Sequence, residues 1–282
     1  MGARASGVPF TEEDREFAQT LGRQAVAALE SVRLHRLGME QERRDREMQI
    51  AREIQQSLFP ACCPVVPGFD LSARSLPCHE VGGDHYDFIP LPDGRMALAI
   101  ADVSGKGAPA SILMASVHAS LRALAGTAEP AALMERINRF LFENTAANRY
   151  ATVFYGELDP VSRRLLYVNG GHIPPYRFTA RGDEERLFAG GPALGVIEDA
   201  PYEAAEVLLE TGDLLAMVTD GVTEAASPAD QEFGDKGVID ALRKSRTAGA
   251  EDALEALVAA VHAWTETAGC ADDLTALVLR AV

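Results

Sequence analysis

The stretch Tyr86-Asp87-Phe88-Ile89-Pro90-Leu91-Pro92-Asp93-Gly94-Arg95-Met96-Ala97-Leu98-Ala99-Ile100-Ala101-Asp102-Val103 reads as two strands folded back on each other. Tyr86–Leu91 and Arg95–Val103 are the strands, and Pro92-Asp93-Gly94 is a hairpin turn. Upstream, Phe69–Ser75 is a further strand, preceded by a proline-marked break from Pro60 to Gly68. Downstream, helices are expected from Ala108 to Leu124 and from Pro130 to about Asn144. Strands follow at Ala151–Leu158, Leu165–Asn169, Pro175–Phe178, Tyr202–Leu209 and Leu214–Thr219. Helices at Gly237–Lys244 and Glu251–Thr267 precede a closing strand, Leu274–Ala281. Strand runs separated by helix pairs, with hairpin-length turns, indicate a mainly antiparallel α+β fold with helices packed outside, not a doubly wound βαβ fold.

The composition bounds the function. In 282 residues, 42 acidic against 26 basic side chains leave a formal charge of −16. Nucleic acid and anionic membrane both need a basic surface, so neither is expected as a partner. At 47% apolar and 24% charged, the chain is globular rather than disordered. The longest uncharged stretch, residues 54–69, contains Pro60, Pro64 and Pro67 and is too short to span a bilayer. No apolar signal core follows Met1, so a cytoplasmic protein is expected. The cysteines, Cys62, Cys63, Cys78 and Cys270, lack the C-x₂-C spacing of structural zinc sites and suit a reducing compartment.

Residues 11–59 read as one long helix, opened by Thr11 and Asp14 as an N-cap pair. Phe17, Leu21, Ala25, Ala28 and Val32 form a helical seam that resumes at Met48, Ala51, Ile54 and Leu58. Between Glu40 and Glu47, seven of eight residues are charged and offer no face to a globular core. A helix of this length reaches about 70 Å and cannot stand alone in water. It is read as a two-chain coiled coil, with a surface helix lying on its own domain as the other possibility. The domain division is therefore 1–59, a signalling helix, and 60–282, a globular domain.

Four acidic sites share one setting, at a strand end or tight turn among small or apolar residues. They are Val81-Gly82-Gly83-Asp84, Ala101-Asp102-Val103-Ser104-Gly105-Lys106-Gly107, Val218-Thr219-Asp220-Gly221-Val222 and Ala271-Asp272-Asp273-Leu274-Thr275. An aspartate there is costly unless its charge is compensated, and no four matching buried arginines are evident. Shared hard cations, Mg²⁺ or Mn²⁺, meet that need through oxygen ligands. Ser104-Gly105-Lys106-Gly107 lacks the Gly-x₄-Gly-Lys-Ser/Thr spacing of a nucleotide loop.

With Ile54-Gln55-Gln56-Ser57-Leu58-Phe59-Pro60, Asn169-Gly170-Gly171-His172-Ile173-Pro174-Pro175 and Thr219-Asp220-Gly221-Val222-Thr223-Glu224-Ala225, these motifs resemble the PPM family of metal-dependent serine/threonine phosphatases, in its bacterial SpoIIE/RsbU-like branch. The resemblance covers roughly residues 50–282. It implies a four-layer α-β-β-α sandwich of two antiparallel sheets, with a dinuclear Mn²⁺ or Mg²⁺ centre on its edge. It also implies roles: Asp102 bridges the metals, Asp84 and the Val103 carbonyl hold one, and Asp220 and Asp272 (or Asp273) hold the other. His85 stands where the family has an aromatic, and Gly170 where it has alanine.

The implied reaction is hydrolysis of phosphoserine or phosphothreonine by two-metal activation of a bridging water. The implied substrate is a phosphorylated anti-sigma-factor antagonist of the STAS type. Arg74 and His172 are candidate substrate contacts, and His172 or His85 a candidate proton donor. Residues Phe10 to Leu34 resemble the last helix of a GAF sensory domain, so the arm is expected to form a homodimer and relay a signal. The competing reading is a non-catalytic scaffold whose aspartates hold a structural ion. A nucleotidyl cyclase would need purine-recognition determinants that are not identified here.

Overall fold

The computed structural model describes residues 7, 9–78, 80–146, 148–266 and 272–282. The expected helix end at Thr267, together with His79 and Cys270, falls outside the described residues. The chain divides into two compact units, Met1–Ile50 and Ala51–Val282. The division lies within one helix, α1 (Glu12–Gln56), rather than at the Pro60 break.

In the first unit, α1 opens on a reciprocal cap. The Asp14 carboxylate accepts from the Thr11 N–H at 2.9 Å, and Thr11 Oγ1 accepts from the Asp14 N–H at 3.3 Å. Along the charged middle, Arg43 and Glu47 pair at 2.9 Å across one turn. The seam stands in the open, with Phe17 66%, Leu21 48% and Val32 56% exposed.

The second unit contains β1 (Phe69–Leu76), β2 (His85–Pro90), β3 (Met96–Val103), α2 (Ala108–Leu124), α3 (Pro130–Asn144), β4 (Ala151–Asp159), β5 (Arg164–Gly170) and β6 (Tyr176–Phe178). These are followed by β7 (Glu184–Arg186), β8 (Gly190–Gly191), β9 (Ala205–Leu208), β10 (Leu214–Val218), α4 (Asp220–Thr223), α5 (Gly234–Lys244), α6 (Ala250–Thr265) and β11 (Leu274–Ala281). One sheet runs β1-β11-β10-β6-β7; the other runs β2-β3-β4-β5-β8, with β9 also paired to β5. Every pairing is antiparallel except β5 with β8. The hairpin that opened the reading is present: Tyr86 faces Ile100, Pro90 faces Met96, and Gly94 turns at φ 86°.

The layers follow from strand periodicity. On β3, Ala97, Ala99, Ala101 and Val103 face outward to Leu113, Met114, Val117 and Leu121 of α2 and to α3. Leu98 and Ile100 point the other way, into the interior between the sheets, where they meet Leu215, Met217, Leu277 and Leu279. The opposite faces of β10 and β11 carry Ala216, Val218, Ala276 and Val278 against α5 and α6. The result is the expected α-β-β-α sandwich. The small alanines of β3 let α2 approach the sheet closely.

The sequence reading misses three short elements: β7, β8 and the single turn α4. Two or three residues are too few to show a period. The expected strand Tyr202–Leu209 contracts to Ala205–Leu208.

Candidate metal centre

Antiparallel pairing brings the four acidic sites to one edge. The start of β2 lies beside the end of β3, so Asp84 and Asp102 share an end of one sheet. The end of β10 lies beside the start of β11, so Asp220 and Asp272 share an end of the other. The two ends meet where Thr219 Oγ1 donates to Asp84 Oδ2 at 2.7 Å.

Close backbone approach completes the convergence. A Cβ on Gly83 would stand 2.8 Å from the Val103 carbonyl oxygen and 3.5 Å from Asp102 Oδ1. A Cβ on Gly221 would stand 1.9 Å from the Asp273 carbonyl oxygen, which no side chain permits. Val81, Gly83, Asp102, Lys106 and Asp272 line a single cleft.

The charge balance at this edge is one-sided. Burial, and then the charge of Asp102, push the Asp84 carboxyl well above the ordinary range. Burial pushes Asp102 up to about 7, followed by the charges of Asp220, Asp272, Asp273 and Glu224. Asp220 is raised by burial and by Asp272, with the Gly221 N–H and Lys106 opposing. Glu224 is raised by burial and then by Asp220. The lysine in the cleft, Lys106, pairs with Asp272 at 2.9 Å, and its own pKa rises through that bond. Clustered carboxylates that repel one another, with the Val103 carbonyl oxygen beside Gly83 and Asp102, form a hard oxygen donor set. These residues fit Mn²⁺ or Mg²⁺.

The geometry distinguishes the adjacent aspartates. Asp273 is buried, and its two oxygens accept the N–H groups of Cys78 at 2.8 Å and Gly83 at 2.9 Å. It therefore holds the Gly82–Gly83 turn. Asp272 is half-exposed and turned toward Lys106.

Arg74 is turned away, to Glu251 and Glu255 of α6. His172 is buried, with Nδ1 3.0 Å from Thr152 Oγ1, and burial brings it down to about 4. His85 is wholly buried inside β2, and burial, then His118, brings it down to about 3. Both imidazoles are neutral near pH 7 and buried in the sandwich, which removes them as ready proton donors.

Two functional contacts escaped the sequence reading. Glu224 adds a fourth charge felt by Asp102, after Asp220, Asp272 and Asp273. Gln55, near the end of α1, grips Gly82 on both sides: Nε2 donates to the Gly82 carbonyl at 2.7 Å, and Oε1 accepts its N–H at 3.0 Å. The motif around Gln55 was visible, but its partner 27 residues away was not.

Residues 92–282 match the family described as stage II sporulation protein E. The chain is 31% identical over 189 residues to the phosphoserine phosphatase RsbU of Bacillus subtilis (strain 168), covering 66% of this chain and 56% of that protein. It is 29% identical over 233 residues to the protein IcfG of Synechocystis sp., covering 73% of this chain and 37% of IcfG. The chain thus spans between a third and somewhat over half of these relatives. Among solved structures, the SiaA-PP2C domain of Pseudomonas aeruginosa superposes with a TM-score of 0.76 at 22% identity, covering 85% of this chain and 98% of that one. The RsbU and RsbW domains of Rv1364c from Mycobacterium tuberculosis give a TM-score of 0.65 at 27% identity, covering 77% of this chain and 61% of that one.

Proposed function

We propose, from the premise that the chain belongs to the SpoIIE family, that its globular part is a metal-dependent phosphatase acting on phosphoserine or phosphothreonine in a protein. The observation that carries the reading is the convergence, from four strand ends in two sheets, of carboxylates that raise one another's pKa.

Asp102 is assigned as the shared ligand, because its carboxyl feels the charges of Asp220, Asp272 and Asp273 and is itself felt by Asp84. Asp84 and the Val103 carbonyl would hold one ion, and Asp220 and Asp272 the other. Asp273 is left to brace the loop. Two such ions, when bound, would neutralise phosphoryl oxygens and lower the pKa of an attacking water. The chain's own residues do the rest. Thr219 orients the Asp84 carboxylate, Asp273 fixes the turn that presents it, and Lys106 sets a positive charge on the rim. With His85 and His172 neutral and enclosed, the leaving alkoxide takes its proton from solvent.

The proposed substrate is a phosphorylated anti-sigma-factor antagonist, supported by the similarity to a phosphoserine phosphatase, RsbU. The arm, residues 1–59 in this reading, would dimerise through its exposed seam and relay a signal to the domain formed by 60–282. Gln55 is the point at which movement of the helix end would reach the Gly82 turn.

The test is hydrolysis of p-nitrophenyl phosphate, and of a phosphoserine protein, by the full chain with and without Mn²⁺. Turnover should require the metal, and Asp102→Asn should abolish it while circular dichroism stays unchanged. Metal-independent turnover, or none with either substrate, overturns the reading. If Asp102→Asn chiefly lowers stability in a chain without turnover, the aspartates serve a structural ion.

A further inference from the structure

Outside the acidic edge, β2 and α2 enclose a second set of metal-type ligands. Side chains alternate along β2, so Tyr86 and Phe88 enter the interior between the sheets, while His85, Asp87 and Ile89 face α2. There, His118 Nδ1 lies 3.0 Å from His85 Nε2 and 3.6 Å from Asp87 Oδ2. One ligand atom from each of the three residues falls within 4.8 Å of the others. His85 and Asp87 are fully buried, and the His118 side chain is 13% exposed.

We propose that His85, Asp87 and His118 form a binding site for a zinc-class transition ion, separate from the acidic centre. Ligand chemistry separates the two sites: imidazole nitrogens favour Zn²⁺, Co²⁺ or Ni²⁺, whereas the all-oxygen set at the edge favours Mg²⁺ or Mn²⁺. The spacing of the two imidazoles is already close to what is required, and the Asp87 carboxylate has to draw in from within 4.8 Å. Two nitrogens bonded to tetrahedral zinc at about 2.0–2.1 Å stand roughly 3.3 Å apart, so the imidazoles need open only slightly. The ion takes the lone pairs of His85 Nε2 and His118 Nδ1, each ring keeping its proton on the other nitrogen. His85 Nδ1 is buried without a hydrogen-bond partner, so the bond between His85 Nε2 and His118 Nδ1 sets the tautomers in the metal-free fold, and ion binding moves its proton to an outer ring nitrogen.

The competitor is Arg122, which donates to both oxygens of Asp87 at 2.7 and 2.8 Å. Its side chain is 46% exposed, so Nε can leave Oδ2 while the Phe88 N–H and the Arg122 Nη2 stay on Oδ1. Three protein ligands with an open fourth position result. Because His85 follows Asp84 directly, an ion there ties α2 to the strand that presents the acidic loop.

The test uses the full chain, stripped of metal and then held in excess Mg²⁺ to fill the acidic centre, titrated with Co²⁺. One equivalent should give a tetrahedral visible absorption band that Zn²⁺ removes. His118→Gln should weaken binding roughly tenfold or more. Arg122→Gln should tighten it, because it frees Asp87 Oδ2, and Asp102→Asn should leave it unchanged. The proposal fails if the native chain shows no such band, if His118→Gln and Arg122→Gln both titrate like the native chain, or if Asp102→Asn removes the band. The readout is spectroscopic, so it stands or falls independently of turnover.

Discussion

Asp272 and Asp273 are chemically identical neighbours with opposite expected sensitivities. Asp273→Ala strands two backbone N–H groups, those of Cys78 and Gly83, and should cost about 2–4 kcal/mol in denaturant unfolding. Asp272→Asn weakens a half-exposed pair with Lys106 while its side-chain oxygen can still accept the Asp273 N–H, and should cost less than about 1 kcal/mol, while sharply weakening Mn²⁺ binding measured by calorimetry. Asp102 makes a further prediction through pH. Its carboxyl titrates near 7 in the metal-free fold, above its value of 3.8 in an unfolded chain. The folded state therefore holds more protons between those values, and stability falls as pH rises through that window. The metal-free chain should need more urea to unfold near pH 5.5 than near pH 8. Saturating Mn²⁺ should abolish or reverse the trend, because ligands bind deprotonated. The sequence displayed these aspartates through their glycine and apolar flanks. It could not separate Asp272 from Asp273, because that difference lies in which backbone amides reach each carboxylate.

Helix α1 is joined to the Gly82 turn through the Gln55 side chain. Gln55→Ala removes a donor and an acceptor together and leaves both polar groups of Gly82 without their partner. A loss of about 1–3 kcal/mol in stability is expected, with a higher Mn²⁺ concentration needed for half-maximal turnover. Gln55→Glu keeps an acceptor for the Gly82 N–H but sets a carboxylate against its carbonyl, so it should fall between the native chain and the alanine variant. Removing residues 1–45 leaves Gln55 in place and tests the arm alone. Light scattering should report a change from dimer to monomer, with activity altered; if neither oligomeric state nor activity changes, the arm is a passive spacer. Helices α1, α2 and α3 were legible from apolar spacing and proline position. The strands of β2 and β3 were legible from a turn that only a hairpin accommodates. The short β7 and β8 were not, since they exist through pairing with β6 and β5 and carry no pattern of their own.

At the scale of the whole molecule, the layered architecture was legible because its three apolar clusters follow from period-two strands and period-3.6 helices. The placement of the four acidic sites on one edge was implied by the family resemblance alone and not by strand or helix periodicity, because it depends on how the two sheets are registered. No helix among the described residues is long and apolar enough to cross a membrane. The assigned ligands are divided evenly, Asp84 and Asp102 on one sheet, Asp220 and Asp272 on the other. With that assignment, ion loading would act as a rivet through both halves of the sandwich. Mn²⁺ at a hundred times its dissociation constant should add about 2.7 kcal/mol of stability per site, provided the unfolded chain does not bind it. Amide exchange on β3 and β10 should slow together when the ions enter and quicken together on chelation. Any small slide of one sheet over the other would pull apart the donor atoms that must act in concert, so a throttle on the proposed activity would be an interlayer shear rather than a covering flap.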